Sequence, residues 1–285
     1  MRMPTGLKGL LTGLVFLLGL GANGAVPASP YRLIAHRGGV VEELFPDNSA
    51  AAVHGAVARG YWALEVDIRE TKDGVLVMQH DPDLKLNFGD PRQIYESTWK
   101  ELSTLRTAKG ERILTFDELV ALAKAHGLKL MLDSKNPHSS DFVRKVDAIL
   151  TQHDMVGHCY VIGTGDSMDH FTGRAMVGRK FRSLQPRLEA DPAAKAGTFL
   201  FEEGRNLTEE RVRWAQAAGV LVVPSINTYH YYDPATMAGK SREEIAPLIL
   251  AAAERDVRKL QALGVTTFQI DSEFDLWFLT SSPPP

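Results

Sequence analysis

Two acidic residues and two histidines near the N-terminus have the types and spacing for acid–base chemistry around a metal ion. Glu65 and Asp67 alternate with the apolar residues of the segment 64–68, so in a β-strand both carboxylates leave the same face. Adjacent like charges repel each other unless a cation neutralises them. His36 and His80 each end a short apolar run, and α/β proteins keep their sites at strand ends. The pattern predicts a metal flanked by two proton carriers.

Strand-like and helical segments alternate along the chain, and they must position these side chains. The strand candidates are Arg32–Ala35, Ala63–Ile68, Val75–His80, Lys129–Asp133, Tyr160–Ile162, Ala196–Phe201, Val220–Pro224 and Thr267–Asp271. The helix candidates are Asn48–Arg59, with Asn48 interpreted as its cap, and Phe116–His126, Ser140–His153, Thr208–Ala218 and Arg242–Leu263. Alternation of this kind indicates parallel strands joined by crossover helices. About eight strands in one domain predict an α/β fold, a single-domain (β/α)8 TIM barrel, with an open doubly wound sheet as the alternative.

The first residues have the order of a secretory signal peptide. A basic start, Met1–Lys8, is followed by an apolar run, Gly9–Ala22, and then by small residues up to Ala28. The run is short for a membrane span, which needs ~20 residues, and an uncleaved anchor is the alternative. We therefore expect a signal peptide over residues 1–28, the barrel domain over residues 29–285, and an exported protein that is periplasmic or secreted.

Cysteine content and net charge argue against a disulfide-stabilised protein and against a nucleic-acid-binding protein. Cys159 is the single cysteine of the chain, so no intramolecular disulfide can form, and its apolar surroundings predict a buried thiol. The formal net charge of −3 gives no basic surplus, which argues against nucleic acid as a main partner.

Five ordered motifs resemble those of the glycerophosphodiester phosphodiesterase family, in the phospholipase C-like phosphodiesterase superfamily. They are His36-Arg37-Gly38, Pro46-Asp47-Asn48-Ser49, Glu65-Val66-Asp67, Thr71-Lys72-Asp73-Gly74 and His80-Asp81. A later Asp133-Ser134-Lys135-Asn136-Pro137 is similar to the acid-x-Lys-x-Pro motif of that family. The resemblance is dense from about residue 33 to residue 137 and thin beyond.

The resemblance implies a (β/α)8 barrel that cleaves small glycerophosphodiesters to glycerol 3-phosphate and an alcohol with the help of one divalent cation. It assigns acid–base catalysis to His36 and His80, metal binding to Glu65, Asp67 and Asp133, and phosphate binding to Arg37 and Lys135. Three carboxylates form an all-oxygen ligand set, which favours Ca²⁺ or Mg²⁺ over Zn²⁺ or copper.

Three departures from the family pattern bear on the substrate. Asp133 stands where the family usually has Glu, the segment 224–227 lacks the usual Trp, and the segment 228–244 is an enlarged, tyrosine-rich loop. They leave open a lipid-directed phosphodiesterase of the sphingomyelinase D or phosphoinositide type, which would contact a membrane. A phosphodiester-binding protein without turnover is a further alternative.

Overall fold

The structure, a computed structural model, describes residues 29–41, 46–136, 138–163 and 165–279. The predicted signal peptide, residues 1–28, lies outside these residues, so its cleavage, the domain boundary and the export of the chain stay predictions. Among the helices described, none combines the length and the apolar character that a bilayer span requires.

Strands and helices alternate along most of the chain. The strands are β1 (Arg32–Ala35), β2 (Ala63–Glu70), β3 (Leu76–Met78), β4 (Asp83–Leu84), β5 (Asp90–Gln93), β6 (Lys129–Ser134), β7 (Cys159–Ile162), β8 (Met176–Arg179), β9 (Thr198–Glu203), β10 (Leu221–Ile226) and β11 (Thr267–Ile270). The helices are α1 (Ala50–Ala58), α2 (Lys85–Phe88), α3 (Trp99–Leu102), α4 (Phe116–Ala125), α5 (Ser140–Gln152), α6 (Asp166–Phe171), α7 (Phe181–Ala190), α8 (Glu209–Ala217), α9 (Pro234–Met237), α10 (Arg242–Ala262) and α11 (Leu276–Leu279).

The sheet closes on itself. Strand β1 pairs in parallel with both β2 and β11, and a ring of eight parallel strands runs in the order β1, β2, β6, β7, β8, β9, β10, β11. Helices lie between most of these strands along the chain. The predicted (β/α)8 TIM barrel is confirmed.

Two strands of the nine-stranded sheet differ from the sequence-based prediction, and β4 and β5, which form a separate two-stranded sheet, were not predicted. The predicted strand Val75–His80 shortens to β3, which pairs antiparallel with β2 and lies outside the ring. The ring instead contains β8, which was not predicted because Gly178 and Arg179 interrupt its apolar run. A Cβ at Gly178 would lie 2.7 Å from the Phe199 ring, so the barrel interior has room only for glycine there.

The barrel interior is apolar in its lower layers and polar toward the carboxyl ends of the strands. Ile34, Met131, Tyr160, Phe199 and Val223 belong to one buried cluster inside the ring, and a larger apolar cluster packs between the ring and the helices. The inward face of β2 changes from Ala63 to Glu65 and Asp67 along its length, and these carboxylates lie at the mouth.

Cys159 is buried as predicted. Burial raises the pKa of its thiol to about 12, which keeps the reactive thiolate from forming near neutral pH.

Candidate active site

Three carboxylates meet at the carboxyl ends of β2 and β6. Glu65 and Asp67 leave the inward face of β2, and Asp67 lies directly opposite Asp133 in the parallel register of the two strands. One oxygen from each of the three lies within 4.8 Å of the others. Glu65 and Asp67 are 2% and 1% exposed, so two of the three charges are removed from water.

Lys135 is the cation closest to this carboxylate cluster. Its Nζ lies 2.7 Å from Asp67 Oδ1 and 2.5 Å from Asp133 Oδ2. Two carboxylates therefore face the Lys135 ammonium. Asp67 Oδ1 is buried and has the Lys135 ammonium as its partner. Three carboxylates that share one lysine form an all-oxygen donor set, which a hard divalent cation prefers.

Burial and mutual repulsion shape the ionisation of the carboxylate cluster. Burial, and then repulsion from Asp67 and Asp133, raises the pKa of Glu65 well above its usual value. Burial also works to raise the pKa of Asp67, but Lys135, His80 and hydrogen bonds outweigh it and lower that pKa to about 2. A single lysine thus leaves the cluster short of positive charge, and a divalent cation would supply it.

Asn48 orients Asp67, a role that the sequence-based interpretation as a helix cap missed. Its Nδ2 donates to Asp67 Oδ2 at 2.9 Å, and its Oδ1 accepts from the Asp67 backbone N–H at 3.1 Å. The cap of α1 is Ser49, whose side chain accepts from the Ala52 N–H. Asn48 has a positive φ of 54°, and this conformation turns its amide away from the helix.

His36 follows β1 and is held by a carboxylate from the last strand of the ring. Its Nδ1 lies 2.5 Å from Asp271 Oδ1. An ionised carboxylate can only accept, so Nδ1 carries a proton and donates it in this bond. The second oxygen of Asp271 accepts from the backbone N–H and the hydroxyl of Thr228. This fixes the ring with Nε2 toward the site, 3.9 Å from Glu65 Oε2.

Asp271 and Asn227, whose Nδ2 lies 3.5 Å from His36 Nε2, received no role from the sequence. Asp271 stands at the end of the last predicted strand, and closure of the ring makes that strand a neighbour of β1. The position of Asp271 was therefore a signal that could have identified it as a partner of His36.

His80 reaches the same mouth from the other side, two residues beyond β3. Its Nδ1 is 3.0 Å from Asp81 Oδ1, and its carbonyl oxygen accepts from Arg69 Nε at 3.1 Å and Nη2 at 2.5 Å. Burial chiefly lowers the pKa of His80, and Arg37 and Lys135 act in the same direction, whereas Asp67 opposes them. The hydrogen bonds from Arg69 hold the His80 backbone next to β2, and the imidazole interacts electrostatically with Asp67 of the carboxylate cluster.

Arg37 combines a backbone contact to the cluster with a side chain at its edge. Its N–H donates to Glu65 Oε2 at 2.8 Å, and its guanidinium lies 3.2 Å from Asp47 Oδ2. The turn that presents it needs glycine, because a Cβ at Gly39 would lie 2.2 Å from the Ala52 carbonyl oxygen. The structure thus brings all seven predicted site residues to one mouth, while their individual roles stay predictions.

The tyrosine-rich loop after β10 contributes both to the mouth and to the core. Tyr229 is 49% exposed, its ring centroid lies 6.1 Å from that of His36, and its hydroxyl accepts from Asn227 Nδ2 at 3.3 Å. Tyr231 and His230 are buried. Tyr229 therefore stands where a substrate would enter, and the two residues after it pack the loop against the barrel.

Comparison with known sequences extends over most of the chain. The model of the glycerophosphoryl diester phosphodiesterase family matches residues 36–265. The human glycerophosphodiester phosphodiesterase 1 is 30% identical over 118 residues, which are 38% of this chain and 35% of that protein. A mouse lysophospholipase D is 38% identical over 76 residues, which are 27% of this chain and 22% of that protein. The alignments with these relatives span about a third or less of their length.

Solved structures with the same fold cover nearly the whole chain. A phosphodiesterase of Galdieria sulphuraria described as a glycerophosphodiester phosphodiesterase has a TM-score of 0.66 at 20% identity, covering 88% of this chain and 98% of its own. A phosphodiesterase of Oleispira antarctica, in complex with the product sn-glycerol-3-phosphate, has a TM-score of 0.63 at 20% identity and covers 88% and 97%. At these identities the likeness establishes the fold.

Proposed function

Because the chain belongs to the glycerophosphoryl diester phosphodiesterase family, we propose that it hydrolyses glycerophosphodiesters to sn-glycerol 3-phosphate and an alcohol. The observation that carries the proposal is the meeting of His36 and His80 on either side of the Glu65–Asp67–Asp133 carboxylate cluster. One site then contains two proton carriers and a ligand set for a cation. The product in the Oleispira antarctica complex is consistent with this reaction.

His36 is the group placed to remove a proton. Its Nδ1 is occupied by Asp271, so Nε2, with Asn227 Nδ2 3.5 Å away, is the ring nitrogen that can accept a proton, and the carboxylate stabilises the imidazolium that forms. We propose that Nε2 accepts the proton of the glycerol hydroxyl next to the phosphate, which attacks phosphorus to give a cyclic phosphate. A water molecule then opens that ring.

His80 is the group placed to deliver a proton to the departing alcohol. Burial lowers its pKa, but the hydrogen bond with Asp81 opposes that shift, and the negative charge of a bound diester would oppose it further. The two histidines exchange roles in the second step, because the group that lost its proton must regain it.

Glu65, Asp67 and Asp133 are the residues that would hold a divalent cation, Ca²⁺ or Mg²⁺. When bound, the cation neutralises the charge that develops on the phosphate oxygens. Arg37 offers a planar fork for a phosphate oxygen pair. Lys135 contacts Asp67 and Asp133 and adds a positive charge to the cluster.

The proposed function is tested by hydrolysis of glycerophosphocholine after the protein has been stripped of metal with a chelator. We expect glycerol 3-phosphate to form only after Ca²⁺ or Mg²⁺ is returned, because three carboxylates without a cation repel the anionic diester. The two ions are added back in separate assays. Zn²⁺ serves as the comparison ion, because a ligand set of carboxylates favours Ca²⁺ or Mg²⁺ over Zn²⁺. Full activity in the chelator would contradict metal dependence and leave the reaction class standing.

A lipid-directed phosphodiesterase is the second candidate function, and Tyr229 favours it. An exposed aromatic ring beside His36 is suited to the boundary between water and lipid, and the mouse relative is a lysophospholipase D. Release of product from phospholipid vesicles, with none from glycerophosphocholine under the same metal conditions, would select this candidate.

Asp271 is expected to position His36, and replacing it with asparagine is expected to lower kcat about 100-fold or more. The amide can orient its NH₂ or its oxygen toward Nδ1, so the ring loses its fixed tautomer and the partner of the imidazolium. KM should change little, since Asp271 bonds to His36 and Thr228 and not to the carboxylate cluster. Steady-state kinetics with glycerophosphocholine separate the two constants.

Asp275→Asn provides the matched control. Asp275 is buried four residues further along and pairs with Arg59 at 2.8 Å, so its loss should lower thermal stability and leave kcat close to wild type. An Asp271→Asn protein with unchanged kcat would show that the short His36 contact is structural.

A further inference from the structure

A cavity beside the carboxylate cluster carries positive charge that the proposed chemistry does not use. Its volume is about 660 Å³, and its lining includes Arg69, Lys72, Tyr95 and Lys135. Lys135 lines the cavity and also contacts the carboxylate cluster, because its ammonium lies 2.7 Å from Asp67. A ligand that reaches the carboxylate cluster can therefore extend directly into this cavity.

Two of the cations that line the cavity are already matched by carboxylates. Lys135 lies between Asp67 and Asp133, and Lys145 lies between Glu70 and Asp141. Of the acidic residues in the lining, Glu70 is bound by Lys145, and Asp73 accepts from the Thr71 hydroxyl and the Trp99 N–H. The hydrogen-bond donors to Asp73 are neutral, so its negative charge offsets one of the two remaining cations, Arg69 and Lys72, and the lining keeps an excess of one positive charge.

Arg69 is the centre of this charge. It follows Asp67 by two residues on β2 and so leaves the same face, and in the described part of the chain its side-chain hydrogen bonds run to the carbonyl oxygen of His80. The described residues place no carboxylate within ion-pair distance of it. Burial lowers its pKa, against the attraction of Asp67, Asp81 and Asp133. A half-buried guanidinium paired only with a carbonyl is suited to an anionic ligand.

We propose that this cavity binds a second anionic group, a phosphate monoester, carried by the alcohol of the diester. The inference rests on the proposed function, because the first phosphate must sit at the carboxylate cluster for the alcohol to reach Arg69 and Lys72. A quaternary ammonium group would not be favoured there. It requires an aromatic cage or an excess of acids, whereas the described lining has one aromatic ring, that of Tyr95, and four cationic residues against two acidic ones.

The test compares two diesters that differ only by one phosphate, glycerophosphoinositol and glycerophosphoinositol 4-phosphate. We expect kcat/KM to be about tenfold higher for the phosphorylated compound, which is the worth of one charge-assisted hydrogen bond. The preference should decrease as ionic strength rises, because Lys72 is exposed and salt screens exposed charges.

Arg69→Gln and Lys72→Gln should each move the ratio of the two kcat/KM values toward one. The ratio within one variant is the readout, so any loss that Arg69→Gln causes through His80 affects both substrates and cancels. Lys195→Gln is the matched control, since Lys195 is exposed and precedes β9 at the opposite end of the barrel, and it should keep the wild-type ratio.

The outcomes separate this inference from the proposed function. Hydrolysis of both diesters with equal kcat/KM overturns the anion site and leaves the phosphodiesterase standing. If neither compound is hydrolysed, titration calorimetry with the same two compounds decides the anion site, and the proposed function is contradicted only if glycerophosphocholine is not hydrolysed either. Equal affinities in that titration would overturn the anion site, and tighter binding of the phosphorylated compound that Arg69→Gln removes would support it.

Discussion

Replacing His36 with alanine is expected to lower kcat for glycerophosphocholine by about 10³- to 10⁴-fold, near the upper range for the loss of a positioned proton carrier. The imidazole is oriented by Asp271 on one side and lies 3.9 Å from Glu65 on the other, and no other described side chain is placed to replace it at that point. Binding should change by a factor of about three or less, because the phosphate contacts are assigned to Arg37 and Lys135. The measurement is kcat and KM of the metal-loaded variant.

His126→Ala is the control for this experiment. His126 is exposed at the end of α4, and its ring packs edge-on against His54, so its loss should leave both kinetic constants near wild type. A His36→Ala protein that keeps most of the wild-type kcat would reject the acid–base assignment, whatever the metal dependence turns out to be.

The sequence could predict which residues meet at the candidate site because strand periodicity and strand ends are local properties. Glu65 and Asp67 had to share a face of β2 at a spacing of two residues, and His36 had to lie at the mouth once the run before it was a strand. These deductions need no knowledge of other parts of the chain.

The parts of the site that the sequence missed depend on contacts between distant segments. Asp271 meets His36 only because the ring closes between β11 and β1, and Asn48 meets Asp67 only because the turn before α1 folds over β2. Strand β8 escaped prediction for a related reason, since Gly178 is required by the bulk of Phe199 from the next strand and not by its own neighbours.

The antiparallel strand β3 illustrates a third kind of error. Its alternation is that of any strand, so periodicity could not reveal that it pairs with the far end of β2 and leaves the ring. This placement nevertheless serves the site, because it brings His80 next to Arg69 and positions the segment that lines the cationic cavity.

In the metal-free protein, the carboxylate cluster lowers the free energy of unfolding, because it buries negative charges close together. Burial and the neighbouring Asp67 and Asp133 raise the pKa of Glu65. The folded state therefore favours the protonated form, and this stabilising contribution is lost as pH rises through the folded-state pKa. At higher pH Glu65 is a buried, ionised carboxylate, and Lys135 is the nearest cation that compensates the charge of the cluster.

Glu65→Gln is therefore expected to lower kcat and to stabilise the metal-free protein. An amide is neutral at every pH, so the free energy of unfolding in the presence of a chelator should rise by about 1–2 kcal/mol above neutral pH. The same variant should lose about 10³-fold in kcat, because the cluster retains two carboxylates and binds the cation poorly. Urea unfolding with and without Ca²⁺, together with kcat, measures both effects.

Glu118→Gln is the control, because the pKa of Glu118 is shifted in the opposite direction and the change in the free energy of unfolding should have the opposite sign. Arg112 lowers the pKa of Glu118 through hydrogen bonds, so that carboxylate stabilises the folded state above its unfolded-state pKa, and the amide should be neutral or destabilising there. Added Ca²⁺ should stabilise the wild type and the Glu118→Gln protein by mass action and leave Glu65→Gln nearly unchanged. A metal-free Glu65→Gln protein that unfolds more readily than wild type would mean that the hydrogen bond from the Arg37 N–H outweighs burial and repulsion, and the cluster would then be a structural element of the barrel.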